Sequence, residues 1–217
     1  VSCQSRSSFI FVSNSEFDFD CLNDYECSCF DLQALKQSSS ELITDELCMS
    51  YDPTQLATYL FTSGTTGTPK IAAHLFNHHY SSAMASNTAL SFDEGSMWFH
   101  CLPVFHVSGI SILFRVFFGN GSLYLGQIDE LMATNDIGFS HISCVLTQFN
   151  QLKEFGFHPP SSLKCILLGG SVIPDSIKQY CNEHKLPVYA TYGLTEYSSQ
   201  VGIRYMTIQE SYCFLPH

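Results

Sequence analysis

The sequence is short of charge, and of positive charge in particular. Only 13% of its 217 residues are charged, and nine Lys and Arg are outnumbered by 20 Asp and Glu, which gives a net charge of -11. A protein that binds nucleic acid needs a basic patch for the phosphates, so the composition argues against that class of partner. A small nucleotide stays compatible, because backbone N–H groups, one lysine and a metal ion can bind its phosphates.

A long apolar run is also lacking. No stretch reaches the ~20 apolar residues of a membrane span, and the apolar segment 110–118 is short and contains Arg115. The first 15 residues have neither a basic start nor a sustained apolar centre, so they do not predict a signal peptide. We therefore expect a cytoplasmic protein without a membrane partner.

Cysteine, by contrast, is plentiful, but its distribution does not favour a disulfide scaffold. The sequence has ten cysteines, and Cys101, Cys144 and Cys165 lie inside apolar runs. In such runs a free cysteine behaves as a small buried hydrophobe. Cys27 and Cys29 have no second pair at zinc spacing, which argues against a metal site there. We predict reduced thiols.

The pattern of the chain changes near residue 51. Residues 1–50 are weakly patterned, residues 51–200 form the predicted core, and residues 201–217 hold no recognisable motif. Within the core, short β-rich runs alternate with helical patterns, which predicts an α/β fold with a mainly parallel sheet and flanking helices. Ligands of such sheets bind at the carboxyl ends of the strands.

The clearest motif is TSGTTGTPK, at residues 62–70, directly after a predicted strand. Its glycines permit close backbone approach, its hydroxyl groups can donate hydrogen bonds, and its lysine adds positive charge. The motif residues that supply these groups are Thr62, Ser63, Gly64, Thr65, Thr66, Gly67 and Lys70. The motif predicts a loop that wraps the phosphates of a nucleotide. A P-loop hydrolase is disfavoured, because Pro69 precedes the lysine and the Walker spacing does not fit.

Three further motifs follow along the chain. They are LPVFHVSG at 102–109, GGS at 169–171 and YGLTE at 192–196. The glycine turn and YGLTE each follow a predicted strand, as the phosphate loop does. Three loops at strand ends can therefore meet at one site.

In this order and spacing, the four motifs resemble the signatures of the adenylate-forming superfamily, which includes acyl-CoA synthetases, luciferases and peptide-synthetase adenylation domains. The resemblance covers roughly residues 52–200. It implies part of the large N-terminal domain of that fold, and an enzyme that uses ATP, Mg²⁺ and CoA to join CoA to a small carboxylic acid. Segments 102–115, 140–148 and 163–171 look most like CoA ligases of menaquinone synthesis, which act on an aromatic dicarboxylate. A medium-chain fatty acid or an aryl acid stays open.

The resemblance also implies roles for single residues. The phosphate loop would hold the triphosphate, Glu196 would hold Mg²⁺, and Thr195 would touch the α-phosphate. The adenine site would comprise Gly169, Gly170, Ser171, Tyr192 and Gly193. His106 and Ser108 would line the acyl pocket, and Arg115 would meet a carboxylate of the substrate. The catalytic set would be Lys70, His106, Thr195 and Glu196.

Plainer interpretations stay open for three of these residues. Glu196 could be a solvated carboxylate at a helix start, His106 a structural residue of a turn, and Arg115 an exposed arginine or one half of an ion pair. His78, His79 and His141 lack metal-ligand spacing and are interpreted as structural.

The sequence lacks the family's downstream ribose-binding Asp, its hinge and its C-terminal lid with a catalytic lysine. We therefore expect a truncated core, with the lid supplied by a missing chain. The competing hypothesis is a non-catalytic remnant that binds nucleotide or acyl groups and depends on a partner.

Overall fold

Two sheets organise the structure, a computed structural model that describes residues 52–62, 70–133, 137–206 and 213–214. These residues belong to one unit that begins at Asp52. Segment 1–50, with Cys27 and Cys29, lies outside the described residues. So do residues 63–69 of the phosphate loop.

The smaller sheet is an antiparallel hairpin of two strands, β1 (Leu56–Thr62) and β2 (Lys70–Leu75). Thr62 is the register partner of Lys70, so the two described ends of the predicted phosphate loop lie side by side. Helix α1 (Phe76–Leu90) follows β2 directly.

The larger sheet has seven strands in the order β4-β3-β5-β6-β7-β8-β9. They are β3 (Met97–His100), β4 (Ser122–Leu125), β5 (His141–Val145), β6 (Cys165–Gly169), β7 (Val188–Leu194), β8 (Ser199–Tyr205) and β9 (Cys213–Phe214). The five strands β3, β4, β5, β6 and β7 are parallel, whereas β8 and β9 add antiparallel pairs at one edge. The crossovers contain helices α2 (Val107–Gly119), α3 (Glu130–Ala133), α4 (Leu146–Glu154) and α5 (Asp175–Glu183). The predicted α/β fold with a mainly parallel sheet is confirmed.

Strand β6 shows why the sheet forms here. All five residues of its CILLG run are buried, as expected for a parallel strand covered by helices on both faces. Side chains alternate between faces: Ile166 and Leu168 join the cluster that includes α4 and α5, and Cys165 and Leu167 join the cluster that includes α1 and α2. The continuous apolar run thus fills both layers of the core.

Strand β8 crosses residue 200, where the core was predicted to end. It pairs with β7, and its residues Ser199 and Gln200 are buried although they are polar. A strand that begins with buried polar residues does not show apolar alternation, so its pattern was not visible in the sequence. The sheet therefore extends to Tyr205 and includes Cys213–Phe214, inside the segment interpreted as a tail.

The cysteines of the described region are free thiols: Cys101, Cys144, Cys165 and Cys181. All except the partly buried Cys101 are buried, and burial raises the pKa of each of the four, of Cys181 to about 11 and of Cys101 to about 12. Because the thiolate is the reactive species, these groups are chemically quiet at neutral pH.

We expect these four thiols to resist iodoacetamide in the folded protein at pH 8 and to react once guanidinium unfolds it. Peptide mapping by mass spectrometry would measure this site by site. Rapid labelling of Cys144 or Cys165 in the native chain would contradict the buried positions described above.

No helix among the described residues is long and apolar enough to cross a membrane.

Candidate functional site

The YGLTE motif bridges a strand and a tight turn. Tyr192 and Gly193 belong to the end of β7, and Thr195–Tyr197 form a single 3-10 turn before β8. The pairing of β7 with β8 shifts register at Gly193. A Cβ there would lie 2.2 Å from the carbonyl oxygen of Ser199, so only glycine permits the two strands to approach this closely. The motif glycine therefore sets the start of the turn.

Buried groups hold the inner side of this turn. His74 Nε2 donates to the carbonyl of Thr195 at 2.7 Å, and Ser82 Oγ donates to the carbonyl of Ser198 at 2.9 Å. On the outer side, Glu196 is exposed and Thr195 is half-buried. The backbone of the turn is thus held inside while its carboxylate faces solvent, free of ion pairs within the described region. Such a carboxylate can accept a cation.

The hairpin lies against this turn, because both of its strands contact the 3-10 segment. Lys70 is exposed and Thr62 is half-buried, whereas Ser63, Gly64, Thr65, Thr66 and Gly67 lie outside the described residues. Thr195 contacts the hairpin at His74. His74 is four residues beyond Lys70, so the two lie roughly 13 Å apart along β2. The turn therefore contacts the strands of the hairpin, and no hydrogen bond joins Lys70 to Glu196.

The glycine turn lies on the neighbouring strand. Gly169 ends β6, Gly170 adopts φ +83° and Ser171 is exposed. Leu168 is the register partner of Ala190, so Gly170 reaches the sheet edge at the level of Tyr192, which is also exposed. The predicted adenine-binding residues therefore share one edge, where β6 and β7 end.

His106 and Ser108 are exposed at the beginning of α2, the helix that follows β3. His106 is the N-cap residue, its carbonyl accepts from the N–H groups of Gly109 and Ile110, and its ring lies 4.5 Å from that of Phe105. These contacts leave the imidazole accessible. The structural interpretation as a turn residue and the predicted role at an acyl pocket are both compatible with this position.

Arg115 is deeply buried on the same helix, so the alternative of an exposed arginine is wrong. Its guanidinium carbon lies 5.4 Å from the centre of the Trp98 ring, and Nη2 donates to Ser199 Oγ at 3.4 Å. Nε has no hydrogen-bond partner in the described structure, where no carboxylate pairs with the group. Burial lowers the pKa of Arg115 to about 10, so it remains a cation at neutral pH. Nine residues separate it from His106, roughly 14 Å along the helix, so the predicted substrate residues do not form one cluster.

Sequence reasoning missed the polar network behind the turn. His79 was interpreted as structural, and His74 was not singled out, yet both contact the turn or its neighbour Ser198. The usable signal was a polar residue at an inward position of a strand that follows the phosphate loop. Within the described ranges, no group of three metal-ligating side chains occurs.

A mainly parallel α/β sheet with a glycine turn and an anchored Thr-Glu turn at the carboxyl ends of its strands is typical of domains that bind ligands at that edge. The chain belongs to the AMP-binding enzyme family, whose model matches residues 10–213. The match includes most of the first 50 residues and extends past residue 200. The predicted limits of the resemblance were therefore too narrow.

Relatives agree with this family. The chain is 38% identical over 175 residues to 2-succinylbenzoate–CoA ligase of Bacillus subtilis strain 168, a match that covers 79% of this chain and 36% of that protein. It is 36% identical over 187 residues to the enzyme of the same name from Bacillus velezensis, covering 83% of this chain and 38% of that one. The chain thus spans little more than a third of the length of these curated relatives.

A solved structure shows the same relationship. O-succinylbenzoate coenzyme A synthetase from Bacillus subtilis, in complex with ATP and magnesium ion, is similar with a TM-score of 0.72 and 31% identity. The alignment covers 91% of this chain and 42% of that chain. This likeness supports the fold and the family assignment of the described domain.

Proposed function

We propose that this chain is the nucleotide-binding core of an ATP-dependent carboxylate–CoA ligase, with an aromatic dicarboxylate such as 2-succinylbenzoate as its acid. The observation that carries the proposal is the Thr195–Tyr197 turn, anchored from behind and packed against the hairpin of the phosphate loop. The similarity to a ligase solved with ATP and magnesium supports it.

In this proposal, the two ends of the site bind different parts of ATP. Residues 62–67 and Lys70 hold the triphosphate, and Thr195 lies near the α-phosphate. Residues 169–171, Tyr192 and Gly193 flank the adenine. The exposed carboxylate of Glu196 fits Mg²⁺, which prefers one or two carboxylates together with phosphate oxygens. The ion supplies neutralisation of phosphate charge.

The reaction has two steps. A carboxylate oxygen of the acid attacks the α-phosphorus of ATP, so that acyl-AMP forms and pyrophosphate leaves. The thiol of CoA then attacks the acyl carbon and AMP leaves. This chain contributes positioning and charge stabilisation, and no protein nucleophile is required. ATP and CoA are cytosolic substrates, and the unpaired thiols of the described region suit a reducing compartment.

Arg115 favours a dicarboxylate as the acid. A buried cation without an anionic partner is costly, and a second carboxylate of the substrate would supply that partner. His106 and Ser108 are placed in this proposal at the entrance of the acyl pocket, at the exposed start of α2. A fatty acid or a simple aryl acid has no group for the guanidinium, so these acids are expected to bind less tightly.

A second candidate function is a non-catalytic remnant that binds nucleotide without joining CoA to an acid. The bonds that anchor the Thr195–Tyr197 turn favour it as well, because they serve nucleotide binding whether or not catalysis follows. Addition of a lid domain as a separate chain should raise CoA-ester formation if the ligase proposal is right, and should change nothing for a remnant.

Titration calorimetry of ATP with Mg²⁺ into the full chain tests the proposed site. We expect Lys70→Ala and Glu196→Ala each to weaken binding at least ~10-fold, since each removes a charge at a phosphate or at Mg²⁺. In EDTA the deficit of Glu196→Ala should largely disappear, because that carboxylate acts through the metal.

Matched controls are Lys164→Ala and Glu154→Ala, which remove exposed charges distant from the turn in the sequence. Both should bind ATP as the unchanged chain does. The proposed site would be excluded if the folded chain binds no ATP with Mg²⁺. It would also be excluded if the test and control variants lose the same amount of affinity.

A further inference from the structure

We propose that His74 is a positioning residue for the nucleotide site: it fixes the Thr195–Glu196 turn against the hairpin that carries the phosphate loop. This inference rests on the proposed function and adds a residue to it. The link runs from β2, which begins at Lys70, to the residue that precedes Glu196. A nucleotide bound at both ends would therefore span the link.

The geometry defines the protonation of His74. The ring is almost fully buried, and Nε2 lies 2.7 Å from the carbonyl oxygen of Thr195. A carbonyl only accepts, so Nε2 must carry the hydrogen. In the neutral ring Nδ1 is then an acceptor, and it faces Thr58 Oγ1 at 3.4 Å. The tautomer of His74 is therefore set by the carbonyl of Thr195.

A second imidazole extends the network to the other end of the turn. His79 Nε2 lies 2.8 Å from Thr58 Oγ1, and His79 Nδ1 lies 2.8 Å from Ser198 Oγ. The ring of Phe114 stacks on that of His79 with centroids 4.1 Å apart. Thr58, His74 and His79 thus hold both Thr195 and Ser198, which frame Glu196. The turn is connected to β1, β2 and α1 through side chains.

Both imidazoles are neutral in this arrangement. Burial lowers the pKa of His74 and lowers that of His79 to about 3. The ring centroids of His74 and His79 are 5.3 Å apart, so two protonated imidazoles would also repel each other. A neutral donor holds the Thr195 carbonyl without adding charge beside Glu196, whose carboxylate stays available for a metal ion.

The test compares His74→Leu, which removes the donor, with His74→Gln, whose amide N–H reaches near the position of Nε2. We expect His74→Leu to weaken ATP binding with Mg²⁺ at least ~10-fold, the cost of an interaction worth about 1.4 kcal/mol. His74→Gln should stay within ~3-fold of the unchanged chain. His78→Gln is the control. His78 is exposed, and its Nδ1 accepts a hydrogen bond from the N–H of Leu75 at the start of α1, which the side-chain oxygen of glutamine can also accept.

A double-mutant cycle with Glu196→Ala separates positioning from general stability. If His74 acts through the turn, its effect on ATP affinity should shrink in the Glu196→Ala background. The same fold-loss in both backgrounds would overturn the proposal. If His74→Leu does not fold, His74→Asn takes its place, since asparagine stays polar but is too short to reach Thr195.

Hydrogen exchange by mass spectrometry gives a readout that needs no ligand. Peptides covering residues 192–200 should exchange at least ~10-fold faster in His74→Leu and return to the original rate in His74→Gln. Unchanged exchange would overturn the role of His74 alone. If exchange is faster in His74→Leu but the unchanged chain binds no ATP, the proposed function is excluded, and the nucleotide role of His74 is excluded with it.

Discussion

Replacing Arg115 with methionine should stabilise the protein and, in the same variant, remove its affinity for an aromatic dicarboxylate. Among the described residues, the buried guanidinium makes one long hydrogen bond, to Ser199 at 3.4 Å, and its Nε has no partner. Its position near Trp98 contributes about 2 kcal/mol, less than the several kcal/mol that a buried charge costs. Methionine fills similar space without charge, so we expect a gain of about 1–4 kcal/mol, by analogy with the apolar replacement of buried ion pairs.

Urea denaturation would measure the gain in stability, and the single tryptophan of the sequence supplies a second signal. Trp98 lies against the guanidinium, so a carboxylate that pairs with Arg115 should change its fluorescence. Titration of 2-succinylbenzoate in the presence of ATP should show this change in the unchanged chain and not in Arg115→Met. Arg204→Met, a half-buried arginine of β8, is the control.

The opposite result would be informative. If Arg115→Met lowers stability by more than ~1 kcal/mol, the guanidinium has an anionic partner within the folded chain, and the role in binding a dicarboxylate falls. Unchanged affinity for the acid in a folded Arg115→Met variant would exclude that role as well.

Replacing Gly193 with alanine should disrupt the nucleotide site and destabilise the domain. The added Cβ would lie 2.2 Å from the carbonyl oxygen of Ser199 and 2.9 Å from its carbon. Both are backbone atoms, so β7 and β8 must separate at the start of the turn. We expect a loss of about 3 kcal/mol, the upper part of the usual range for overpacking, and at least ~10-fold weaker binding of ATP with Mg²⁺.

Gly138→Ala is the matched control for this substitution. The nearest atom to a Cβ at Gly138, Ser162 Oγ, is 4.0 Å away, so the same chemical change meets open space. Thermal denaturation and calorimetry of both variants would test the prediction. A Gly193→Ala chain with unchanged melting temperature and affinity would show that the close approach of β7 and β8 is not required.

Local patterns carried most of the information that predicted the fold. The apolar run of β6 and the helical spacing of Ile177 and Cys181 on α5 both correspond to buried positions. The α/β class follows from the alternation of such segments. Strand β8 escaped prediction because its first residues are polar and buried, and only the side-chain partners on other elements satisfy them.

The site was predictable where contiguous residues form it and not where distant ones do. Motif 192–196 was visible as five neighbouring residues, whereas His74 and Thr195 are 121 positions apart. No periodicity connects two residues at such a separation. Arg115 was conspicuous because it interrupts an apolar segment, but its surroundings, Trp98 and Ser199, came from other parts of the chain.

The side-chain bonds behind the Thr195–Tyr197 turn also affect the thermodynamics of ligand binding. Because the bonds from His74 and Ser82 belong to the folded chain itself, the conformational entropy of the turn is lost during folding and not during binding. Preorganisation of this kind leaves more of the interaction energy to appear as affinity. It also makes folding and affinity share the same bonds, so a substitution that loosens the turn should lower both together.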